Sequence, residues 1–126
     1  MAVSATIINE DKLGIKFPLE LRDIPVSFQS TFNNYWEPII KKLELPTLRW
    51  IGVLDVDYTL WPKFKHEMLT IRNFLQESPN IAVSICTEPA GGDIGVINEY
   101  IIPRIDELLR RMQKAYDLSD KVIFNL

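Results

Sequence analysis

The sequence predicts a single α/β (or α+β) domain over residues 1–126, and three patterns carry that prediction. The chain has 126 residues, 47% hydrophobic and 25% charged, which is the size and balance of one folded domain. Residues 48–61 alternate apolar and polar side chains as a half-buried strand does. Residues 64–75 and 94–116 repeat apolar side chains at helical spacing. The predicted order is an N-terminal β-hairpin, a helix, and then β-α-β-α-β around one central sheet.

Five segments are predicted to be strands. Residues 5–8 and 13–17 are short β-like runs on either side of a polar turn, so they are expected to form the hairpin. Residues 48–61 form the longest candidate strand, and residues 81–86 are apolar on both faces, as in a central strand. Residues 122–124 form a short last strand. Because helices separate these later strands, parallel pairing is expected.

The first helix contains a proline whose effect the sequence leaves open. Apolar side chains over residues 28–43 follow helical spacing. Pro38 interrupts this stripe, so either the helix kinks there or it begins near Asn34. In the second case Asn34 and Glu37 form a variant of the capping box.

The later helices have clearer boundaries. Residues 64–75 are predicted to form one helix, followed by a turn and then the strand over 81–86. Residues 88–92 form a loop, and Asp93 is a candidate N-cap for the long amphipathic stripe over 94–116. Pro103 either kinks that stripe or divides it into two helices.

Charge and composition exclude several classes of function. The net charge is −3 and the pI about 5.1, and acidic and basic residues are spread evenly along the sequence. Because the sequence has no basic patch, nucleic-acid binding is not expected. No secretion signal or long apolar run is visible, which predicts a cytoplasmic protein without a membrane partner. Cys86 is the only cysteine and ends an apolar run, so a small core residue is expected. A nucleophile paired with His66 is the alternative.

One motif points to phosphate chemistry. Residues 53–62 read Val-Leu-Asp-Val-Asp-Tyr-Thr-Leu-Trp-Pro, which resembles the first motif of the haloacid-dehalogenase-like (HAD) magnesium-dependent phosphatases, an apolar strand followed by D-x-D-x-T. The resemblance implies that Asp55 attacks phosphorus as the nucleophile and that Asp57 serves as acid and base. It also implies a Mg²⁺ ion between Asp55, the backbone carbonyl of Asp57 and an acid further along. An oxygen-rich cradle of this kind suits both a phosphoryl group and Mg²⁺.

The rest of the phosphatase pattern is incomplete. Thr59, together with Ser84 or Thr87 at the end of the apolar run, would supply the hydroxyl groups that bind phosphate. The metal-binding acid that the family places after its last strand is missing, because only Asn125 and Leu126 follow residues 122–124. As an alternative, Asp55, Asp57 and Thr59 are the solvent-facing residues of a half-buried strand and have no catalytic role.

A second resemblance is one of layout. A hairpin, an aromatic-rich helix with Tyr35-Trp36 and a long strand are similar to the arrangement in small bacterial immunity proteins, which neutralise a toxin. This implies a tight one-to-one complex with another protein. No cofactor is predicted, and the oligomeric state of the chain is left open. The candidate partner-binding residues are the carboxylates of Asp55, Asp57, Glu88 and Asp93, which would face a basic surface, and the aromatic side chain of Trp61. A non-enzymatic protein-binding domain is therefore the preferred prediction, and a HAD-like phosphatase or a catalytically degenerate relative is the alternative.

Overall fold

A four-stranded antiparallel sheet packed against helices forms the centre of the structure, a computed structural model that describes residues 2–86 and 91–126. The strands, in the spatial order β2-β1-β4-β3, are β1 (Ala2–Ile7), β2 (Asp23–Phe28), β3 (Asp55–Val56) and β4 (Phe124–Asn125). Each neighbouring pair is antiparallel. The fold class is therefore α+β, which the sequence predicted, whereas the predicted parallel pairing and β-α-β-α-β order are wrong.

Five helices surround the sheet in the described part of the chain. They are α1 (Leu19–Arg22), α2 (residues 29–42), α3 (Trp61–Glu77), α4 (Pro79–Ile85) and α5 (residues 94–118). Two single 3₁₀ turns cover Glu10–Lys12 and Leu48–Trp50. None of the described helices combines the length and the apolar content needed to cross a bilayer.

The hairpin at the start of the chain has a different second strand from the one predicted. β1 pairs with β2 rather than with residues 13–17. The intervening chain turns at Glu10–Lys12 and again at Gly14, whose φ of +67° is a left-handed conformation that interrupts an extended run. Phe17 is buried, and its N–H donates to the Glu10 carboxylate. The alternation over 13–17 therefore reflects an anchored loop and not a strand.

The long strand predicted over residues 48–61 is also wrong. Its first residues form a 3₁₀ turn, Gly52 turns the chain at φ +116°, and only β3 is extended. The predicted alternation survives at Leu54 and Val56, which are both buried because they face the core. Main-chain bonds from Gly52 and Leu54 to the Leu126 carbonyl fix this short segment, so long-range pairing decides its shape.

The apolar run predicted as a central strand over 81–86 is helical and belongs to α4. Pro79 occupies the first turn of α4, where its missing N–H costs nothing. Ala82 is buried while Ile81 is exposed, so the run has one buried side and one open side. A short apolar segment fits a helix or a strand equally well by pattern, and here the proline start decides for the helix.

Both interior prolines lie within continuous helices. In α2 the residues before Pro38, Phe32–Trp36, adopt wider π-helical hydrogen bonding, and in α5 the residues before Pro103, Ile97–Ile101, do the same. Proline has no N–H and its ring crowds the preceding turn. A local change to i→i+5 bonding is a known way to absorb such an interruption. The helices therefore neither begin nor divide at these prolines.

The core lies between the sheet and the two long helices. α5 packs on β2 and on α3, and α2 packs on the 3₁₀ turn Leu48–Trp50 and on α4. The largest fully buried side chains include Trp36, Phe17, Phe64, Phe124, Ile24, Ile39, Met68 and Ile97. Since α2 directly follows β2 and α5 passes beside them, the three elements leave a concave surface where they meet.

Candidate binding groove

An apolar groove lies between the end of β2 and the N-terminal half of α5, and we name it the β2–α5 groove. Its volume is about 300 Å³. It is lined by Ala2, Pro25, Val26, Ser27, Phe28, Thr31, Trp36, Val96, Tyr100, Ile101 and Arg104. Among the described lining residues Arg104 is the only charged one, so this part of the groove offers mostly apolar contact with a single cationic group.

Two aromatic side chains in the lining remain open to solvent. Phe28 is 75% exposed and Tyr100 is 64% exposed. Trp36 and Ile101, in contrast, are buried and belong to the hydrophobic core. The groove therefore combines a rigid buried base with large apolar groups that gain from being covered, because about 25 cal/mol is gained per Å² of apolar surface removed from water.

The helical register of α5 places three lining residues along one side. Val96, Tyr100 and Arg104 follow one another at intervals of four residues through the π-helical stretch Ile97–Ile101. Ile97 and Ile105 face the core and are fully buried. One side of α5 thus packs on the sheet while the adjacent side forms a wall of the groove.

Arg104 has no counter-charge among the residues that the structure describes. It makes no hydrogen bond or ion pair with any residue in the described ranges 2–86 and 91–126, and its side chain is half-buried. Glu107 lies three residues further along α5, but it pairs with both Arg110 and Arg111. Hydrogen bonds from these two guanidinium groups lower the pKa of Glu107 to about 2. The Glu107 carboxylate therefore binds Arg110 and Arg111 and does not pair with Arg104. Arg104 therefore keeps an unsatisfied positive charge at the groove.

The edge of the sheet beside the groove is protected against strand addition. β2 is an edge strand, and it contains Pro25, which has no N–H to donate. The register of β1 against β2 also shifts between Val3 and Ser4. Prolines and irregularities of this kind are how natural edge strands avoid pairing with other chains. Recognition at the groove is expected to depend on side chains.

The two aspartates of the D-x-D motif are exposed and each accepts a hydrogen bond within the fold. Asp55 lies in β3 and accepts from the Asn125 amide at 2.9 Å. Asp57 follows β3 and accepts from the Leu60 N–H at 2.9 Å, and its main-chain carbonyl accepts from the Trp61 N–H, also at 2.9 Å. These contacts connect β3 to β4 and shape the turn that leads into α3.

The remaining residues of the predicted phosphate site are not gathered around this motif. Thr59 is exposed in the turn before α3. Ser84 does not end a strand: it lies in α4, where its hydroxyl donates to the Ile81 carbonyl at 2.7 Å. Thr87 and Glu88 lie outside the described residues. The prediction of a hydroxyl at a strand end is therefore wrong for Ser84.

The residues near the D-x-D motif do not fit the magnesium site that the resemblance implies. No group of three or more histidine, cysteine or acidic side chains that could hold a metal occurs among the described residues. The Asp57 carbonyl, which the resemblance implies as a ligand, already accepts the hydrogen bond from the Trp61 N–H. Mg²⁺ requires near-octahedral oxygen ligands. The HAD-like phosphatase hypothesis stays a prediction, and no mechanism follows from the geometry.

Trp61 and Asp93 have structural contacts where partner contacts were predicted. Trp61 begins α3, is only 4% exposed, and donates its indole N–H to Gln113. It therefore offers little surface to a partner. Asp93 is the predicted N-cap of the last long helix, and this prediction is confirmed, because its carboxylate accepts from the Gly95 N–H at 2.7 Å. The Asp93 N–H in turn donates to the Tyr35 hydroxyl.

Cys86 is a core residue, as the sequence predicted. Its side chain is buried, and its thiol donates to the Ala82 carbonyl at 3.2 Å. Burial raises the pKa of the Cys86 thiol to about 11. Because a nucleophilic cysteine needs a lowered pKa, the thiol of Cys86 is poorly suited to covalent catalysis.

The hydrogen bond between the Asp57 carboxylate and the Leu60 N–H allows a structural role of Asp57 to be distinguished from a catalytic role. Asp57→Ala is expected to lower the free energy of unfolding by about 1 kcal/mol, because the Leu60 N–H loses its acceptor. Asp57→Asn keeps an acceptor oxygen and is expected to lose less. Urea denaturation of both variants measures this. If instead both variants abolish a Mg²⁺-dependent hydrolysis of p-nitrophenyl phosphate while remaining equally stable, Asp57 is catalytic.

Sequence reasoning did not identify the main residues of the groove. The helical spacing over residues 28–43 predicts Phe28 in the apolar stripe of a helix, although Phe28 ends β2. Tyr100 and Arg104 fall between the isoleucines of the α5 stripe, so the helical pattern predicts no role for them. An aromatic residue on the polar side of an amphipathic helix is the signal that was available. The second wall of the groove could not be inferred, because β2 itself was not predicted.

The geometry of the groove is the basis for assigning a function. A scan against protein-family models, a search of curated proteins and a search of solved structures each found no significant match to this chain.

Proposed function

We propose that this chain is a non-enzymatic protein-binding domain of the inhibitor or immunity type, which holds its partner in the β2–α5 groove without a cofactor. The observation that carries the proposal is the exposure of Phe28 and Tyr100 on either side of an apolar groove. Tyrosine and arginine are among the residues that dominate the energetics of protein interfaces, and the lining contains Tyr100 and Arg104. Clustered exposed apolar groups mark such interaction sites.

The size and polarity of the groove favour one anchoring side chain of a protein over a small-molecule ligand. A volume of about 300 Å³ is at the lower limit for ligand pockets, which hold several convergent polar groups. In the described lining Arg104 is the only charged group, and the other side-chain polar groups are the hydroxyls of Ser27, Thr31 and Tyr100. A shallow apolar recess with aromatic walls and a single arginine is typical of a binding hot spot.

The test is affinity capture from a lysate of the native host, followed by purification of the captured protein and titration calorimetry. The original chain and a Phe28→Ser, Tyr100→Ser double variant are compared as baits. The double variant removes the exposed aromatic surface and leaves the buried lining residues Trp36 and Ile101 in place. The matched control is Trp50→Ser, which removes an aromatic side chain of similar exposure outside the groove. We expect a defined complex with the original chain and with the control, and an affinity at least about tenfold lower with the double variant.

Two outcomes would count against this function. If the captured protein binds the double variant as tightly as the original chain, the groove is not the interface. If no purified partner forms a stoichiometric complex, and purified protein instead shows Mg²⁺-dependent phosphate hydrolysis that Asp55→Asn abolishes, the phosphatase prediction replaces the binding function.

A further inference from the structure

We propose that the groove recognises an acidic segment of the partner, in which a large apolar side chain enters the groove and a neighbouring carboxylate pairs with Arg104. This inference rests on the proposed protein-binding function and specifies the chemistry of its partner. It is carried by the juxtaposition of an apolar recess and an arginine that has no counter-charge among the described residues.

The charge distribution of α5 singles out Arg104. The neighbouring arginines Arg110 and Arg111 both pair with the carboxylate of Glu107, and Arg72 on α3 pairs with Asp106 at 2.6 Å. Arg104 is half-buried, lies beside the apolar lining of the groove, and forms no ion pair with the described residues. An unpaired guanidinium can bind a carboxylate of a partner in a bidentate geometry.

Phe28 and Tyr100 provide the apolar part of the recognition, and Arg104 lies close enough to Tyr100 to act together with them. Arg104 lies one helical turn beyond Tyr100 on the same side of α5. Phe28 and Tyr100 leave a recess above Trp36 that can take one large side chain. A segment with an aromatic or branched aliphatic residue next to aspartate or glutamate satisfies both features, whereas a basic segment would place like charges together.

Side-chain recognition is favoured over strand addition. Pro25 lies in the edge strand β2 and has no N–H to donate, and the pairing of β1 with β2 is irregular between Val3 and Ser4. The partner segment is therefore held by its side chains, and its specificity depends on charge and on the size of the apolar group.

The experiment uses the full chain labelled with ¹⁵N and three synthetic peptides of identical length. Each peptide has a central tryptophan flanked by two glutamates, two glutamines or two lysines. Amide chemical shifts are followed to millimolar peptide concentration. We expect shifts confined to residues 26–28 and to the non-proline residues of 96–104 with the glutamate peptide. The affinity is expected to be about tenfold lower for the lysine peptide, since one hydrogen-bonded charge pair is removed.

Charge reversal at the same position provides the decisive control. Arg104→Glu is expected to reverse the order, so that the lysine peptide binds more tightly than the glutamate peptide. Arg104→Gln is expected to remove the preference. Equal affinities of the three peptides for the original chain, shifts outside the groove, or no shifts at millimolar concentration would each overturn the acidic-segment inference.

A second arm separates this inference from the proposed function. The partner captured from the lysate is titrated against Arg104→Gln as well as against the Phe28→Ser, Tyr100→Ser double variant. A complex that depends on the aromatic residues but not on Arg104 leaves the protein-binding function intact and overturns only the acidic segment. Loss of affinity in both variants, with a salt dependence that disappears in Arg104→Gln, supports both.

Discussion

Replacement of Glu67 by alanine is expected to lower the free energy of unfolding by about 3 kcal/mol, because two buried N–H groups lose a charged acceptor. Glu67 lies in α3 and is only 3% exposed. One of its carboxylate oxygens accepts from the Thr47 and Leu48 N–H groups, both at 3.0 Å. The carboxylate therefore caps the 3₁₀ turn Leu48–Trp50 from a distant part of the chain.

Two further variants test this role. Glu67→Gln keeps one carbonyl oxygen in place and is expected to lose less stability than Glu67→Ala. Glu77→Ala removes an exposed acid from the same helix and is expected to change the free energy of unfolding by less than about 0.5 kcal/mol. Urea denaturation measures all three, and hydrogen exchange at the Thr47 and Leu48 amides should accelerate in Glu67→Ala. Equal losses for Glu67→Ala and Glu77→Ala would show that the carboxylate does not organise this turn.

The same contact explains why the longest predicted strand does not exist. Alternation over residues 48–61 is a local pattern, whereas the shape of this segment depends on Glu67, about twenty residues further along, and on the Leu126 carbonyl. Neither contact leaves a periodic signal in the sequence. Tertiary hydrogen bonds to main-chain groups therefore override a pattern that local reasoning takes for a strand.

The long helices were predictable for the opposite reason. α3 and α5 each extend over many turns, so their apolar side chains repeat often enough to define one face. Even in α5, the sequence does not decide whether Pro103 divides the helix. The π-helical hydrogen bonding over Ile97–Ile101, which lets the helix continue through the proline, has no signal in the sequence. The fold class followed from this mixture of helices and strands, but the antiparallel order did not, since it depends on which short segments pair.

The candidate site was less predictable than the fold. The sequence drew attention to Asp55 and Asp57 because carboxylates at fixed spacing suggest chemistry, yet these residues form hydrogen bonds within turns and strand pairs. The groove depends instead on the meeting of β2, α2 and α5, which are distant in the chain. An exposed phenylalanine or tyrosine has no distinctive spacing, so only the folded arrangement shows that Phe28 and Tyr100 border one surface.

Gly92 lies just before α5, at a position where even one added methyl group is expected to lower the free energy of unfolding. A Cβ at this position would lie 2.7 Å from the Cβ of Cys86 and 3.2 Å from Cε2 of Tyr35. The φ of Gly92 is +62°, a left-handed conformation that side chains disfavour. Since the Tyr35 hydroxyl accepts from the adjacent Asp93 N–H, displacement of Tyr35 would also disturb the start of α5.

Gly92→Ala is therefore expected to lower the free energy of unfolding by about 3 kcal/mol, the sum of left-handed strain and overpacking. Gly14→Ala is the matched control, because Gly14 has nearly the same φ, +67°, and nothing lies within 4 Å of its added Cβ. This control is expected to lose only about 1 kcal/mol, so the difference between the variants isolates the contact with Cys86 and Tyr35. Urea denaturation with equal slopes for both variants gives that difference. Losses of the same size would mean that Tyr35 and Cys86 move aside freely, and that the packing between α2 and the start of α5 does not require glycine at this position.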